Sequence, residues 1–240
     1  MNIAQWEKIF TDCLPAPFPA NAPMQLAQYH ALLCEWNQHM NLMGNTDFAD
    51  ALLRHYADSY APLSLCSLWE GVTQVIDVGT GAGFPGVVLA ILRPEWTITL
   101  LDSQKKRLIF LETVARECGL SNVRFVHARA EDAGSSALYR EKFDIAIARA
   151  VAPLPVLCEL LLPFVHLQGR MICLKGPSGT QEIQEAYNAS QLLGGGELTQ
   201  YPVTLPTGTP WERMIITCNK IKNTETRYPR KAGIPSKKPL

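Results

Sequence analysis

Between residues 74 and 92 the hydrophobic pattern changes period abruptly, and this stretch limits the fold more than any other. Gln74-Val75-Ile76-Asp77-Val78 is a short apolar, β-branched run of the kind that forms a buried strand. Gly79, Gly81 and Gly83 follow at alternate positions. Gly86-Val87-Val88-Leu89-Ala90-Ile91-Leu92 then reads as a helix stopped ahead of Pro94. Glycines at a strand-to-helix turn let the backbone bend sharply and approach a ligand without a Cβ in the way, and the helix N-terminus offers unpaired N–H groups. The loop fits two registers, G-x-G-x-G over Gly79, Gly81 and Gly83, and the dinucleotide fingerprint G-x-G-x-x-G over Gly81, Gly83 and Gly86. Alone, it does not choose between cofactors.

The same unit repeats downstream. Strands are predicted over 96–101, 123–126, 143–148 and 170–174, with helices over 104–118, closed by Gly119, and over 154–162. Strands alternating with helices imply a mostly parallel sheet covered on both faces, an α/β doubly wound, Rossmann-like domain. The last two strands, 197–203 and 212–219, have only Pro206-Thr207-Gly208-Thr209-Pro210 between them, which implies an antiparallel hairpin on the sheet edge. Upstream, Leu26, Tyr29, Leu32, Leu33 and Trp36 recur at helical spacing, and residues 51–60 repeat the pattern after a turn at Gly44-Asn45. The expected organisation is an N-terminal helical extension (1–66), a catalytic domain (67–220) and a basic C-terminal tail (221–240).

Carboxylates narrow the choice of ligand. Asp102 ends the second strand about twenty residues past the loop, where it can accept hydrogen bonds from ribose hydroxyls. Ala128-Arg129-Ala130-Glu131-Asp132 follows the third strand, beside the place of an adenine ring, and Ala148-Arg149-Ala150 follows the fourth. Asp77 would face the amino group of a methionine moiety. So much negative charge suits a cationic cofactor, S-adenosylmethionine, and would oppose the pyrophosphate of a nicotinamide-dependent oxidoreductase, the competing reading. The cofactor-binding set read here is Asp77, Gly79, Gly81, Gly83, Asp102, Ala130 and Glu131.

Bulk properties exclude other classes. The 240 residues carry 22 Lys plus Arg and 22 Asp plus Glu, so no overall field draws the chain to polyanions and any nucleic-acid contact must be local. Seven cysteines stand singly, without a C-x-x-C pair or zinc spacing, and are expected to be reduced; no metal is expected. The N-terminus lacks the charged and apolar regions of a secretory signal, and no apolar run approaches the roughly 20 residues a bilayer needs, so a cytoplasmic protein without membrane contact is expected. From Lys220 onward seven basic residues (Lys220, Lys222, Arg227, Arg230, Lys231, Lys237, Lys238) face one acid, Glu225.

Taken together, these stretches resemble the ribosomal small-subunit methyltransferase G family: Trp36-Asn37 with Asn41-Leu42, His55-x-x-Asp58-Ser59, Asp77 through Gly86 with its Phe84-Pro85-Gly86 continuation, Leu101-Asp102-Ser103 with Lys106-Arg107, Arg129-Ala130-Glu131, Ala148-Arg149-Ala150, Lys175-Gly176, and the ending from Tyr228-Pro229-Arg230-Lys231 to Lys237-Lys238-Pro239-Leu240. Met43 departs from the family's usual Thr. The resemblance implies methylation of guanine N7 at guanosine 527 of 16S rRNA, in free form or in the small ribosomal subunit. It also implies cofactor contacts at Gly79, Phe84, Ala130, Glu131 and Arg149. His55 and Asp58, about one helical turn apart, are expected to share a face toward the cleft, and Arg149 is expected to organise the cofactor or the pocket. N7 carries a lone pair and no proton, so in-line transfer needs no general base and no catalytic triad is expected. RNA contacts are expected at Arg227, Tyr228, Arg230, Lys231, Lys237 and Lys238, with Tyr228 stacking on a base. Deleting residues beyond Lys222 is accordingly expected to spare cofactor binding and cripple methylation of RNA. A non-catalytic RNA-binding assembly factor with the same fold is the remaining alternative, opposed by the intact Asp77, glycine loop and Asp102.

Overall fold

A computed structural model of the chain describes residues 4, 7, 8, 11, 17–44, 51–176, 178–203 and 213–240. Successive strand residues feed opposite cores, which is what makes the central runs apolar on both faces. In β1 (Gln74–Val78), Val75 packs into one hydrophobic cluster while Ile76 and Val78 pack into the other; in β4 (Phe143–Arg149), Ile145 and Ile147 alternate with Ala146 and Ala148 in the same way. With β2 (Thr97–Asp102), β3 (Val123–His127), β5 (Val165–Lys175), β6 (Gly195–Val203) and β7 (Arg213–Lys220) they form a seven-stranded sheet of order β3-β2-β1-β4-β5-β7-β6. The pairs among β1 to β5 are parallel, and β7 runs antiparallel to both β5 and β6. The expected doubly wound sheet and its edge hairpin are both present; the 206–210 connection lies outside the described residues.

One face is covered by α1 (Ala22–Asn37), α3 (Gly86–Leu92) and α4 (Lys105–Glu117). Between α1 and β1 the chain winds as a π-helix over Leu52–Ala57 and continues in the single α-turn α2 (Asp58–Tyr60). Leu26, Tyr29 and Leu33 of α1 are fully buried in the cluster that holds Val87, Leu89, Phe110 and Leu111, so the N-terminal helix shares one core with the sheet. The other face carries α5 (Ala130–Ser135), α6 (Leu154–Leu161) and α7 (Gly179–Leu192), with the short α8 (Ile234–Lys237) against α6. Neither α5 nor α7 was anticipated. In α7 only Gly179, Ala186, Ala189 and Ser190 are buried while Tyr187 and Leu192 are exposed, so small residues make the contact and no apolar stripe announces it.

Residues 221–240 do not trail from the domain. The Arg140 guanidinium donates to the carbonyls of Gly134, Thr224, Glu225 and Tyr228 at 2.6–3.1 Å, and Arg230 pairs with Glu159 at 2.6 Å. Pro229 lies against Gly134. The tail is a strap across α5 and α6. Four of the cysteines, Cys118, Cys158, Cys173 and Cys218, are buried, with their thiol pKa values pushed up chiefly by burial; Cys13 lies outside the described residues. Among the described residues no helix is long and apolar enough to cross a membrane, and no group of three His, Cys, Asp or Glu side chains is placed to hold a metal ion.

Candidate active site

Parallel α/β sheets bind ligands at the C-terminal ends of their strands, where the order reverses. Here β1 lies between β2 and β4, and the loops after β1, β2, β3 and β4 converge on a cavity of about 330 Å³ lined by Gly79, Asp102, Arg107, Ala130, Glu131 and Val151 among others. A second cavity of about 310 Å³, lined by Gln74, Arg124, Lys142 and Phe143, sits at the opposite ends of the strands, where this fold does not place its chemistry. Of the anticipated cofactor residues, Gly79, Asp102, Ala130 and Glu131 come together on the first cavity's wall. Asp77, Gly81, Gly83, Phe84 and Arg149 lie outside that lining.

The loop is held rigidly. Gly79 and Thr80 donate from their amides to the Leu101 carbonyl at 2.8 and 3.1 Å, and Gly79 takes φ +74°, with the Val151 side chain where a Cβ would stand. Gly83, at φ +104°, leaves room for the Tyr29 hydroxyl, which donates to the Ala82 carbonyl at 2.6 Å. Asp77 is fully buried beneath the loop. Its Oδ2 accepts from the Thr80 hydroxyl at 2.7 Å and the Gly86 amide at 2.9 Å, while Oδ1 has no partner among the described residues. Burial pushes its pKa up to about 6 against the opposing pull of those two donors. Asp102 is also buried; it accepts from the Gln104 amide at 2.8 Å and the Gly81 amide at 3.0 Å, with Arg107 at 3.4 Å.

Beside the cavity stands a second cluster organised by Phe84. His55 stacks on its ring at 5.1 Å, Tyr56 and Tyr29 meet it edge-on or tilted, and the Arg149 guanidinium carbon lies 5.1 Å from its centroid. Arg149 donates to the Arg54 carbonyl at 2.7 Å and to Asp58 at 3.3 Å, and it lies 3.1 Å from His55 Nδ1. Guanidinium can only donate, so His55 Nδ1 accepts and the imidazole proton sits on Nε2. Burial raises the pKa of Asp58, and the charges of Arg149 and Arg213 work against that rise. His55, Asp58 and Arg149, each expected at the pocket, are therefore assembled in space, from the π-helical segment, the first residue of α2 and the end of β4.

The following contacts were not anticipated from the sequence. Ala150 has φ 55°, a costly conformation for a residue with a side chain, and it aims Val151 over Gly79. Lys175 donates to the Ala152 carbonyl at 3.2 Å and pairs with Glu182 at 2.7 Å, and Glu182 accepts from the Leu154 amide at 2.6 Å. The last is a contact of the strap: Gly233 donates its amide to Glu131 at 2.8 Å, and Ser236 lines the cavity. Tyr228, expected to be free to stack on a base, is 7 % exposed, and Arg230 is engaged with Glu159 and the Lys238 carbonyl. Those two are consumed by docking the strap, whereas Arg227, Lys231, Lys237 and Lys238 remain on its exposed side.

A parallel sheet with an antiparallel strand inserted before its edge, and a cavity walled by a glycine loop and the acid ending β2, define a class I methyltransferase fold. A solved structure from Agrobacterium tumefaciens, described as a predicted O-methyltransferase, superposes with a TM-score of 0.53 at 19% identity over 70% of this chain and 82% of that one. The family model for rRNA small subunit methyltransferase G, GidB, matches residues 23–205. Proteins named ribosomal RNA small subunit methyltransferase G are 46% identical in Alkaliphilus metalliredigens (92% of this chain, 91% of the relative), 48% in Alkaliphilus oremlandii (90% of each) and 43% in Streptococcus pyogenes (90% of each). The chain belongs to the rRNA small subunit methyltransferase G family.

Proposed function

We propose that the chain transfers the methyl group of S-adenosylmethionine to N7 of a guanine in 16S rRNA, guanosine 527, in the cytoplasm. The observation that carries this is the continuity of the site: one cavity wall runs from Glu131 and Asp102 to Gly79 and Val151, next to the cluster of Phe84, His55 and Arg149. The residues fit the cofactor. Asp77 keeps an unpartnered carboxylate oxygen suited to an ammonium group, Asp102 suits ribose hydroxyls, and Ala130 with Glu131 suits the edge of an adenine. When bound, S-adenosylmethionine supplies an electrophilic methyl group on a sulfonium.

What the protein contributes is position. Guanine N7 has an in-plane lone pair and no proton to lose, so no side chain must act as base, and fixed near-attack geometry can lower such a barrier by about 7–11 kcal/mol. Arg149 is pinned by a carbonyl, a carboxylate and an imidazole, which keeps the rim of the cleft in one arrangement. Phe84 provides a flat apolar floor against which His55 and Arg149 are ordered. The exposed Arg227, Lys231, Lys237 and Lys238 supply phosphate contacts for the ribosomal RNA or small subunit.

The test is incubation of the protein and S-adenosylmethionine with 16S rRNA, or small subunits, from a strain lacking the corresponding gene, followed by mass spectrometry of the nucleosides. The product expected is 7-methylguanosine at one site. Methylation at another atom or base, or no transfer at all, sinks the proposal, as would tight binding of NADH in place of S-adenosylhomocysteine.

A further inference from the structure

We infer that the C-terminal strap is a wall of the cofactor cavity, with Gly233 and Ser236 positioning the adenosine end of the ligand. This rests on the S-adenosylmethionine reading above and extends it to residues that neither the glycine loop nor the strand-end acids include.

Three observations place the strap there. Ser236, from α8, lines the same cavity as Asp102, Ala130 and Glu131. The Gly233 amide donates to Glu131 Oε1 at 2.8 Å, across a sequence separation of 102 residues, and so fixes the rotamer of the carboxylate that stands at the adenine end. Third, the strap is latched before that contact, where the Arg140 fork grips the carbonyls of Thr224, Glu225 and Tyr228 and Arg230 spans Glu159, which is 1 % exposed, and beyond it, where Arg230 also donates to the Lys238 carbonyl at 2.8 Å. A disordered RNA-binding arm would need none of this. Gly233 has φ +82° with nothing within 4 Å of where a Cβ would stand, so its role is to turn the chain and aim an N–H at Glu131.

Two consequences follow. Removing residues beyond Lys222 strips a wall from the cavity, so cofactor affinity falls together with RNA methylation, contrary to the expectation from sequence. And because Lys231, Lys237 and Lys238 stand on the outer side of the strap, RNA phosphates bound there press on the element that holds Glu131.

The experiment uses the full-length chain. Calorimetric titration with S-adenosylhomocysteine compares the unmodified protein with Ser236→Leu, whose added methyl groups project into the cavity from an exposed position that the fold does not depend on. The dissociation constant is expected to rise about tenfold or more, equivalent to about 1.4 kcal/mol, with little change in Tm. In parallel, amide hydrogen exchange of the unmodified protein is expected to slow between residues 228 and 238 when S-adenosylhomocysteine binds. Tight binding by both proteins, with exchange in the strap unaltered, overturns the inference and leaves the cofactor reading standing. Failure of the unmodified protein to bind at all overturns both. Should Ser236→Leu lose its fold, exchange in the unmodified protein decides the matter alone.

Discussion

The two ends of the chain close on the same site by different physics. At the N-terminal end, α1 is driven into the core: Leu26, Tyr29 and Leu33 are fully buried, and each such side chain contributes about 1.5–3 kcal/mol through burial. At the C-terminal end the strap buries Tyr228 and Pro235 but leaves Ile234 38 % exposed, and its attachment is polar, through Arg140, Arg230 and the Gly233 amide. The buttress behind the glycine loop is thus spread over many apolar contacts, no one of which is specific. The strap, inferred above to wall the adenosine end, depends on a few directional bonds, each of which can be broken singly.

The largest effect expected is on the buttress. Tyr29→Ala removes a fully buried ring that touches Phe84, Phe110 and Tyr56, and should destabilise the fold by about 3–5 kcal/mol, the range for large aromatic truncations. Met24→Ala on the same helix, at a side chain 48 % exposed, should do almost nothing. Denaturant titration checks both, and equal small losses would mean that α1 is not welded to the sheet.

On the strap side, Arg230→Ala leaves Glu159 buried without its cation, a defect of about 3–5 kcal/mol for a fully buried pair and less here because Arg230 keeps 23% of its side chain exposed. Replacing both partners, Arg230→Met with Glu159→Leu, should recover most of that stability, since an apolar pair of similar volume tolerates burial. Cofactor affinity should not recover with it. If the double variant binds S-adenosylhomocysteine as the unmodified protein does, the latch has no bearing on the site.

This contrast also explains what could be read from sequence. The sheet, the glycine loop and the acids after β2 and β3 are local patterns, a period of two changing to a period of 3.6 around turn residues, and they were legible at nearly their observed bounds except in β5, which begins at Val165 and not at Arg170. The trio of His55, Asp58 and Arg149 was legible only through family resemblance, because its geometry depends on a π-helical segment meeting the end of β4. α7 was invisible for lack of an apolar stripe. The strap was misread because Arg230 and Tyr228 look alike in sequence whether they face solvent or a buried Glu159. Composition reports charge; it does not report pairing.

A smaller effect is expected at Asp77, on the buttressed side, where apolar packing holds a buried carboxylate in place. Its ordinary pKa of 3.8 is raised to about 6 in the fold, so between those values the native protein keeps a proton that the unfolded chain has lost. Stability from this group therefore falls as pH rises from 3.8 to about 6, and above that the full cost is present. Asp77→Asn retains an acceptor for Thr80 and Gly86 while removing the charge. Its Tm without cofactor should exceed that of the unmodified protein above pH 6 by roughly 5–10 °C, since a shift from 3.8 to about 6 is worth about 3 kcal/mol and a chain of this size gains about 2–4 °C per kcal/mol, and the difference should vanish toward pH 4. Affinity for S-adenosylhomocysteine should fall. A Tm below the unmodified protein at neutral pH would mean that the charge is already compensated within the fold.

The smallest effect isolates how the buttress acts. Tyr29→Phe keeps the ring and its neighbours and removes only the hydroxyl that donates to Ala82 at 2.6 Å. Burial raises that hydroxyl's pKa well above its ordinary value, so it stays a donor across the working range and the bond carries no pH dependence of its own. One neutral hydrogen bond is worth about 0.5–1.5 kcal/mol net, so the loss in stability should be small beside that of Tyr29→Ala. If packing alone positions the loop, cofactor affinity will be unchanged in Tyr29→Phe. A drop in affinity out of proportion to the lost stability would instead show that the N-terminal helix, like the strap, sets the geometry of the site through one directed bond, and the contrast between the two ends would narrow to a difference in how much apolar surface surrounds it.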